Sequence, residues 1–249
     1  MLFRSVTADR PYKFLYYDYN GNFLREKTSE AFYTEITRTT DNILAINSKV
    51  LEPKHYLSLL NEEDHRITVA KKIPLAFTYR GEFRCRGSYL LKSEHLYFTQ
   101  NGDYTIYSWD NNRIKPVVTV DFGKYSYNPT QLNEEPHAPA TRNKVLSIIN
   151  VKEIRSNLFF NTNKIGLFVY NKTRHQIVHA YGITNTNLGI VLHNSIATED
   201  THNEIVAFSY DMPILQRKLA GIASDNPVIK QIQNAKEDDN PLLFLYKSI

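Results

Sequence analysis

A connection rich in arginine and aromatic residues is the strongest candidate for binding chemistry in this chain. It spans residues 77–87, and four of its side chains are candidates for contact with a ligand: Tyr79, Arg80, Arg84 and Arg86. Guanidinium groups pair with carboxylates or phosphates through two parallel hydrogen bonds, and aromatic rings pack against sugars or peptide side chains. We therefore expect part of an anion-binding or glycan-binding rim here, joined by His193 and Asn194. The alternative is a charged surface loop whose arginines pair with nearby acids.

Two histidines, His175 and His179, have the spacing that would place two metal ligands on one face of a helix. The surrounding residues predict a strand instead, on which the two side chains would stand about 13 Å apart, too far to share one metal ion. The single cysteine also excludes an internal disulfide and every zinc site built from several cysteines. We expect no metal and no cofactor.

Motifs of the common catalytic and nucleotide-binding classes are absent from the sequence. It contains no Gly-x-Gly-x-x-Gly, P-loop, Gly-x-Ser-x-Gly or His-Glu-x-x-His pattern. A net charge of +4 over 249 residues is too dilute for nucleic acid binding without a basic cluster. No apolar run approaches the roughly 20 residues of a membrane helix. These features favour a non-enzymatic protein with no nucleic acid partner and no membrane span.

A repeated unit predicts the elements that position these residues. Each copy has an aromatic or apolar strand, an Asp or Asn, a short polar turn and a second strand. The Asp or Asn anchors of the four copies are Asp18, Asn61, Asp110 and Asn171. These residue types suit hairpin turns, because they bond to their own backbone. The anchors are 43, 49 and 61 residues apart, and about 40–50 residues is the spacing of four-stranded propeller blades.

The repeat predicts an all-β fold, a single partial β-propeller domain over residues 1–249 with about four to five blades present. Its predicted parts are a half-blade at 13–27, whole blades at 32–71, 88–121 and 146–180, and a last blade at 189–249 with a helical insertion at 212–236. The third gap between anchors is long because a polar insertion occupies residues 126–143. Two short helices near the C-terminus follow from apolar residues at helical spacing.

The beginning of the chain predicts an incomplete ring. A strand pattern is already under way at residue 14, and no secretory signal precedes it. The first blade lacks its inner pair of strands, so the ring of blades would stay open. We therefore expect an N-terminally truncated part of a longer protein, in which case the missing signal gives no information on location.

Three segments resemble the secreted six-bladed β-propeller proteins of Bacteroidetes, which have NHL-like blades and are largely uncharacterised. They are the blade turn at residues 17–23, the segment 121–125 after the middle blade, and the tail of two helices followed by residues 237–241 and a closing strand. The resemblance implies a six-bladed ring, an N-terminal lipoprotein or secretory signal, and export to the cell envelope or periplasm of a Gram-negative bacterium. It implies no catalytic residues, because the family has no established activity.

These observations predict a non-enzymatic binding or scaffolding module of the bacterial cell envelope, with a glycan, peptide or protein as its ligand. One alternative is a propeller hydrolase or lyase with a divalent metal in its channel. Such an enzyme needs carboxylate, Asn and His ligands on its inner strands, which here are mostly apolar or small. The other alternative is a protein-interaction platform, which predicts an exposed apolar patch on one face rather than a polar pocket.

Overall fold

The chain forms several antiparallel sheets and two short helices in a computed structural model. The structure describes residues 2–5, 12–29, 33, 35–39, 42–46, 55–61, 67–72, 90–92, 95–100, 103–110, 113–127, 143–164, 166–192, 205–236, 238–239 and 242–247. The chain divides into two compact units, one over residues 1–84 and 128–135 and the other over 85–127 and 136–249.

The first unit contains two antiparallel sheets. Its strands are β1 (Leu2–Ser5), β2 (Tyr12–Tyr17), β3 (Phe23–Ser29), β4 (Glu35–Arg38), β5 (Asn42–Ile46), β6 (His55–Asn61) and β7 (Ile67–Lys72). Strands β1–β3 form one sheet and β4–β7 the other, each in chain order. Phe14 and Tyr16 of β2 pack with Tyr33 and with Leu60 of β6, so the core of this unit lies between its two sheets.

The hairpin between β2 and β3 confirms the turn predicted around the first anchor. The carboxylate of Asp18 accepts hydrogen bonds from the backbone N–H groups of Asn20 and Asn22 and from the side-chain amide of Asn22. These bonds favour the charged form and hold the pKa of Asp18 below its ordinary value. Gly21 completes the turn at a φ of 85°, a conformation that disfavours residues with a Cβ.

The second unit contains the remaining elements. Its strands are β8 (Leu90–Lys92), β9 (Leu96–Gln100), β10 (Asp103–Asp110), β11 (Arg113–Thr119), β12 (Ile148–Ile154), β13 (Asn157–Thr162), β14 (Leu167–Asn171), β15 (Gln176–Ala180), β16 (Ile183–Asn185), β17 (Ile190–Leu192), β18 (Ile205–Tyr210) and β19 (Leu242–Lys247). Its helices are α1 (Met212–Leu219), α2 (Pro227–Asn234) and a 3-10 turn at Gly123–Tyr125. Strands β8–β11 and β12–β15 form two four-stranded sheets in chain order, while β16–β17 and β18–β19 are separate pairs.

Sheet β12–β15 carries an apolar layer on each face. Side chains alternate between the faces of a strand, so Leu158 and Phe160 of β13 lie on one side and Phe159 on the other. The first two pack against Ile106 and other residues of sheet β8–β11. Phe159 packs with the helices and with Leu188, beside strand β17. Burial on both faces explains why β12, although at the end of its sheet, is buried at nearly every position.

The two helices bind each other through their C-terminal carbonyl groups. The side-chain amide of Gln216 on α1 donates to the carbonyl oxygens of Ile232 and Ala235 at the end of α2. In return, the amide of Gln233 on α2 donates to the carbonyls of Leu219 and Ile222 at the end of α1. Each helix therefore donates a side-chain amide to carbonyl groups at or just beyond the C-terminal end of the other.

The prediction of a mostly β chain with short helices near its C-terminus is confirmed. The predicted helices correspond to α1 and α2, and the predicted closing strand is β19, which pairs with β18. Strands β1 and β16 were not predicted, and each is held by one neighbour, β2 or β17. Assignment of the sheets to propeller blades, the number of blades and the single-domain organisation stay predictions. Among the described residues, no helix is long and apolar enough to cross a membrane.

The N-caps of the two helices give a matched pair for a stability test. Asn226 before α2 accepts from the backbone N–H of Val228 and donates to the carbonyl oxygen of Asn187. Asp211 before α1 makes no side-chain cap bond. We expect Asn226→Ala to lower the free energy of unfolding by about 1 kcal/mol, and Asp211→Ala to change it by less than about 0.5 kcal/mol. Urea denaturation measures both; equal effects would contradict this assignment of the caps.

Candidate functional site

The predicted rim lies outside the residues that the structure describes. This applies to all six of its members: Tyr79, Arg80, Arg84, Arg86, His193 and Asn194. The rim therefore stays a prediction, and the candidate sites below are built from other residues.

The two spaced histidines each contact an aromatic ring. His175 lies in the turn before β15, with Nδ1 3.0 Å from the hydroxyl of Tyr170. His179 lies on β15 and stacks on Phe168, with ring centroids 4.4 Å apart. The predicted placement on a strand is correct for His179 and wrong for His175, which lies in the turn before β15. No group of three or more His, Cys, Asp or Glu residues that could hold a metal ion occurs in the described part of the chain.

A buried carboxylate joins the two large sheets of the second unit. The side chain of Glu153, near the end of β12, is only 1% exposed. It accepts a hydrogen bond of 2.8 Å from the hydroxyl of Tyr97 on β9 and lies 2.8 Å from Nδ1 of His95. Its other oxygen accepts from the ammonium group of Lys172. We call these four residues the Glu153 cluster.

Local turns bring Lys172 to this carboxylate. The side chain of Asn171, the last predicted anchor, accepts from the backbone N–H groups of Thr173 and Arg174 and donates to Asn157. The backbone N–H of Lys172 donates to the carbonyl of Ser156 in the preceding turn. Two adjacent hairpin turns are thus bonded together, and this bonding places Lys172 next to Glu153.

A bulge in β12 accompanies the placement of Glu153. The register between β12 and β13 shifts between Ile149 and Lys152, and Asn150 has a φ of 54°. Asn is one of the few residues besides Gly that adopts this conformation readily. After the bulge, Glu153 stands opposite Leu158, which belongs to the core between the two sheets. The carboxylate therefore lies at one end of an apolar layer.

The electrostatics of the cluster favour a structural role. A buried carboxylate loses its hydration, and it is tolerated only when hydrogen bonds and an opposite charge compensate for that loss. Tyr97 supplies a buried donor, while Lys172 and His95 remain 32% and 50% exposed and keep part of their own hydration. With 1% exposure the carboxylate is out of reach of a ligand, so the arrangement stabilises the packing of β9 on β12.

The sequence analysis did not identify Glu153. The available signal is a charged pair, Lys152 and Glu153, inside a mostly apolar strand. Its partners Tyr97 and His95 are 56 and 58 residues away in sequence, so no local pattern connects them.

An exposed edge strand is the second candidate site. Strand β15 ends its sheet, with β14 on one side and no further strand on the other among the described residues. Its apolar side chains Ile177 and Val178 are 44% and 60% exposed, and Tyr181 just beyond it is 72% exposed. An apolar strand with open backbone groups is a surface on which another chain can pair.

The sequence around β15 contains cations but no acidic residues. Residues 154–198 contain no Asp or Glu, but they contain four cations: Arg155, Lys164, Lys172 and Arg174. Arg174, in the turn that leads into β15, is exposed. This acid-free stretch is a property of the sequence alone.

The Glu153 cluster predicts that loss of the Lys172 ammonium and loss of the Glu153 charge lower the stability of the fold by different amounts. Lys172→Met leaves the carboxylate buried without its ammonium, whereas in Glu153→Gln the partly exposed lysine can turn to water. We expect Lys172→Met to lower the free energy of unfolding by about 2–4 kcal/mol and Glu153→Gln by about 1–2 kcal/mol. Lys230→Met breaks an exposed pair with Asp225 and serves as control, with an effect below about 0.5 kcal/mol. Equal losses of unfolding free energy for Lys172→Met and Lys230→Met in urea denaturation would contradict this prediction.

Asp110 at the end of β10 gives a test by pH. Its pKa lies below the ordinary value, chiefly because the ammonium of Lys115 donates to it at 2.7 Å and attracts its charge, with a smaller effect of His95. A depressed folded-state pKa contributes stability above the unfolded-state pKa, and this contribution is lost as the pH falls through the folded value. We expect Lys115→Met to raise the pKa of Asp110 in an NMR titration, while Lys230→Met leaves it unchanged. An unchanged pKa in Lys115→Met would contradict the assignment.

The fold resembles that of a solved bacterial protein. A crystal structure of a protein from Bacteroides fragilis NCTC 9343, described as exported, superposes with a TM-score of 0.68 at 15% sequence identity. The match covers 95% of this chain and 72% of the other. At this identity the similarity shows the fold alone. None of the curated proteins compared with the chain matches it.

The resemblance predicted from the blade turns is thus supported at the level of an uncharacterised family and a fold shared with a Bacteroides protein. The family pattern spans residues 4–247, nearly the whole sequence. The chain belongs to the DUF4934 family, a domain of unknown function.

Proposed function

We propose that this chain is a non-enzymatic binding or scaffolding module of the bacterial cell envelope that binds another protein. The observation that carries the proposal is the exposed apolar surface of β15, with Ile177 and Tyr181 on one face of the strand and Val178 on the other. Of the alternatives from the sequence, a protein-interaction platform predicts such a surface, whereas a glycan-binding channel predicts a polar pocket.

We also propose that the sheets are blades of a β-propeller. In support, three sheets have four strands in chain order, as expected when each blade is built from consecutive strands. Within the second unit, the sheets β8–β11 and β12–β15 pack face to face through an apolar layer. Neighbouring blades pack in this way around a propeller axis.

The location in the envelope rests on two kinds of similarity. The solved Bacteroides fragilis protein of the same fold is described as exported. The blade turn and tail resemble secreted propeller proteins that carry a lipoprotein or secretory signal. We propose that the complete protein is exported to the periplasm or anchored to the envelope by a lipid.

A photo-crosslinking experiment tests both parts of this proposal. A photoreactive amino acid is placed at Val178 of the full gene product in the bacterium that encodes it, and in a second strain at Lys115 on the edge strand β11. We expect discrete protein adducts from position 178 in the envelope fraction, and no adduct from position 115. Adducts that are the same at both positions would contradict a binding surface on β15. Recovery of the protein in the cytosol would contradict the location.

A further inference from the structure

Among the described residues, no strand pairs with β15 on the side away from β14. Its five residues pair with β14 from Gln176 opposite Asn171 to Ala180 opposite Leu167. In an antiparallel ladder, every second residue directs its N–H and C=O away from the neighbouring strand. These groups, which face solvent along an exposed strand, are the donors and acceptors that an added strand uses.

Two other edge strands, β11 and β3, carry features that oppose such pairing. Strand β11, which ends sheet β8–β11, contains Arg113, Lys115 and Pro116, and its register with β10 is broken by a bulge. Strand β3, which ends the first sheet, contains a run of charged residues at 25–27. Proline, charged side chains and bulges are the usual protections of an exposed edge. Strand β15 has the sequence Gln-Ile-Val-His-Ala, with no proline and no Lys, Arg, Asp or Glu.

Side chains on both faces of β15 can pack against an added strand. Ile177 lies on one face, opposite Tyr170, and Val178 lies on the other, opposite Val169. An aromatic series of Phe168, His179 and Tyr181 runs towards the edge, with each ring stacked on or tilted against the next. An added strand with apolar side chains would continue these rows, and such cross-strand pairs stabilise a sheet.

Charge indicates the composition of the added strand. In sequence, β15 lies within the acid-free stretch of residues 154–198, and Arg174 in the turn before it is exposed. A strand with carboxylates would be attracted to this surface. A second copy of this chain would bring the same cationic stretch, and like charges would oppose its pairing.

We propose that β15 is a strand-addition site for an extended, acidic segment of another protein. This inference rests on the proposed function, because it specifies how the protein partner binds and what its binding segment contains. Backbone hydrogen bonds to β15 supply affinity, and a carboxylate near Arg174 supplies specificity.

A synthetic peptide of alternating valine and glutamate, about ten residues long and labelled with fluorescein, is the probe. Fluorescence anisotropy at low salt measures its binding to the purified chain. One control peptide has lysine in place of glutamate. Another has N-methyl groups at alternate residues, which remove the hydrogen bonds from one edge of the peptide. We expect binding of the acidic peptide alone.

Two charge-reversal variants locate the site. Arg174→Glu changes the exposed cation in the turn before β15, and Arg113→Glu changes an exposed cation at the start of β11. We expect Arg174→Glu to weaken binding about fivefold or more, because this charge would contact the peptide. We expect Arg113→Glu to weaken it by less than about twofold, because this charge is distant from the proposed site.

Proline substitution tests the hydrogen bonds directly. Ile177→Pro and Val178→Pro each remove one N–H of β15, and only one of these groups points away from β14. The variant that loses the outward N–H is expected to keep the unfolding midpoint of the wild type and to lose peptide binding. Retained binding in that variant would overturn the proposal.

The remaining outcomes separate this inference from the proposed function. Equal binding of the N-methylated peptide would overturn strand addition, and equal binding of the lysine peptide would overturn the preference for acid. If the chain instead forms dimers with β15 amides protected from hydrogen exchange, the occupant is a second copy and the inference is wrong. If no peptide binds while crosslinks still form at position 178, the inference fails and the proposed protein-binding function stands. Absence of both would overturn both.

Discussion

The burial of both faces of sheet β12–β15 is the constraint on which the second unit depends. One face packs on sheet β8–β11 and the other on the helices and on residues beside β17. An apolar layer on each side leaves no solvated face for polar side chains in the inner part of the sheet. Polar groups there must pair with other protein groups, and only the outer strand β15 keeps most of its side chains exposed. The Glu153 cluster and the open edge of β15 are two consequences of this arrangement.

The cluster shows how a charge is accommodated at the end of an apolar layer. Glu153 extends from the most deeply buried strand of its sheet, and its compensation comes from neighbouring elements: Tyr97 on β9 and Lys172 in a turn. The turn is itself fixed by Asn171, whose side chain bonds to the backbone. A residue that sequence analysis recognises as a turn anchor therefore also positions the cation of a buried pair. Its effect on packing extends beyond its own hairpin.

Local physical chemistry accounts for the parts of the fold that the sequence predicted. Asp18 and Asn171 bond to backbone groups only a few residues away, so their hairpins could be recognised from short segments. The start of α2 was recognised in the same way, from Asn226 and Pro227. The short strand β16 depends on pairing with β17, and Glu153 depends on partners more than 50 residues distant. Such features arise from tertiary contacts, which no local pattern contains.

The difference between the edges β11 and β15 is the strongest reason to place binding on one strand. Both strands end four-stranded sheets of the same order, and both are partly exposed. Because they occupy equivalent positions, the fold alone gives no reason for one to contain Pro116 and Lys115 while the other exposes Ile177 and Val178. Protection of an edge prevents unwanted pairing, and its absence at β15 coincides with a stretch that has cations and no acids. In the proposed strand addition, these two features act together: the open edge admits an extended strand, and the cations favour an acidic segment over a second copy of this chain.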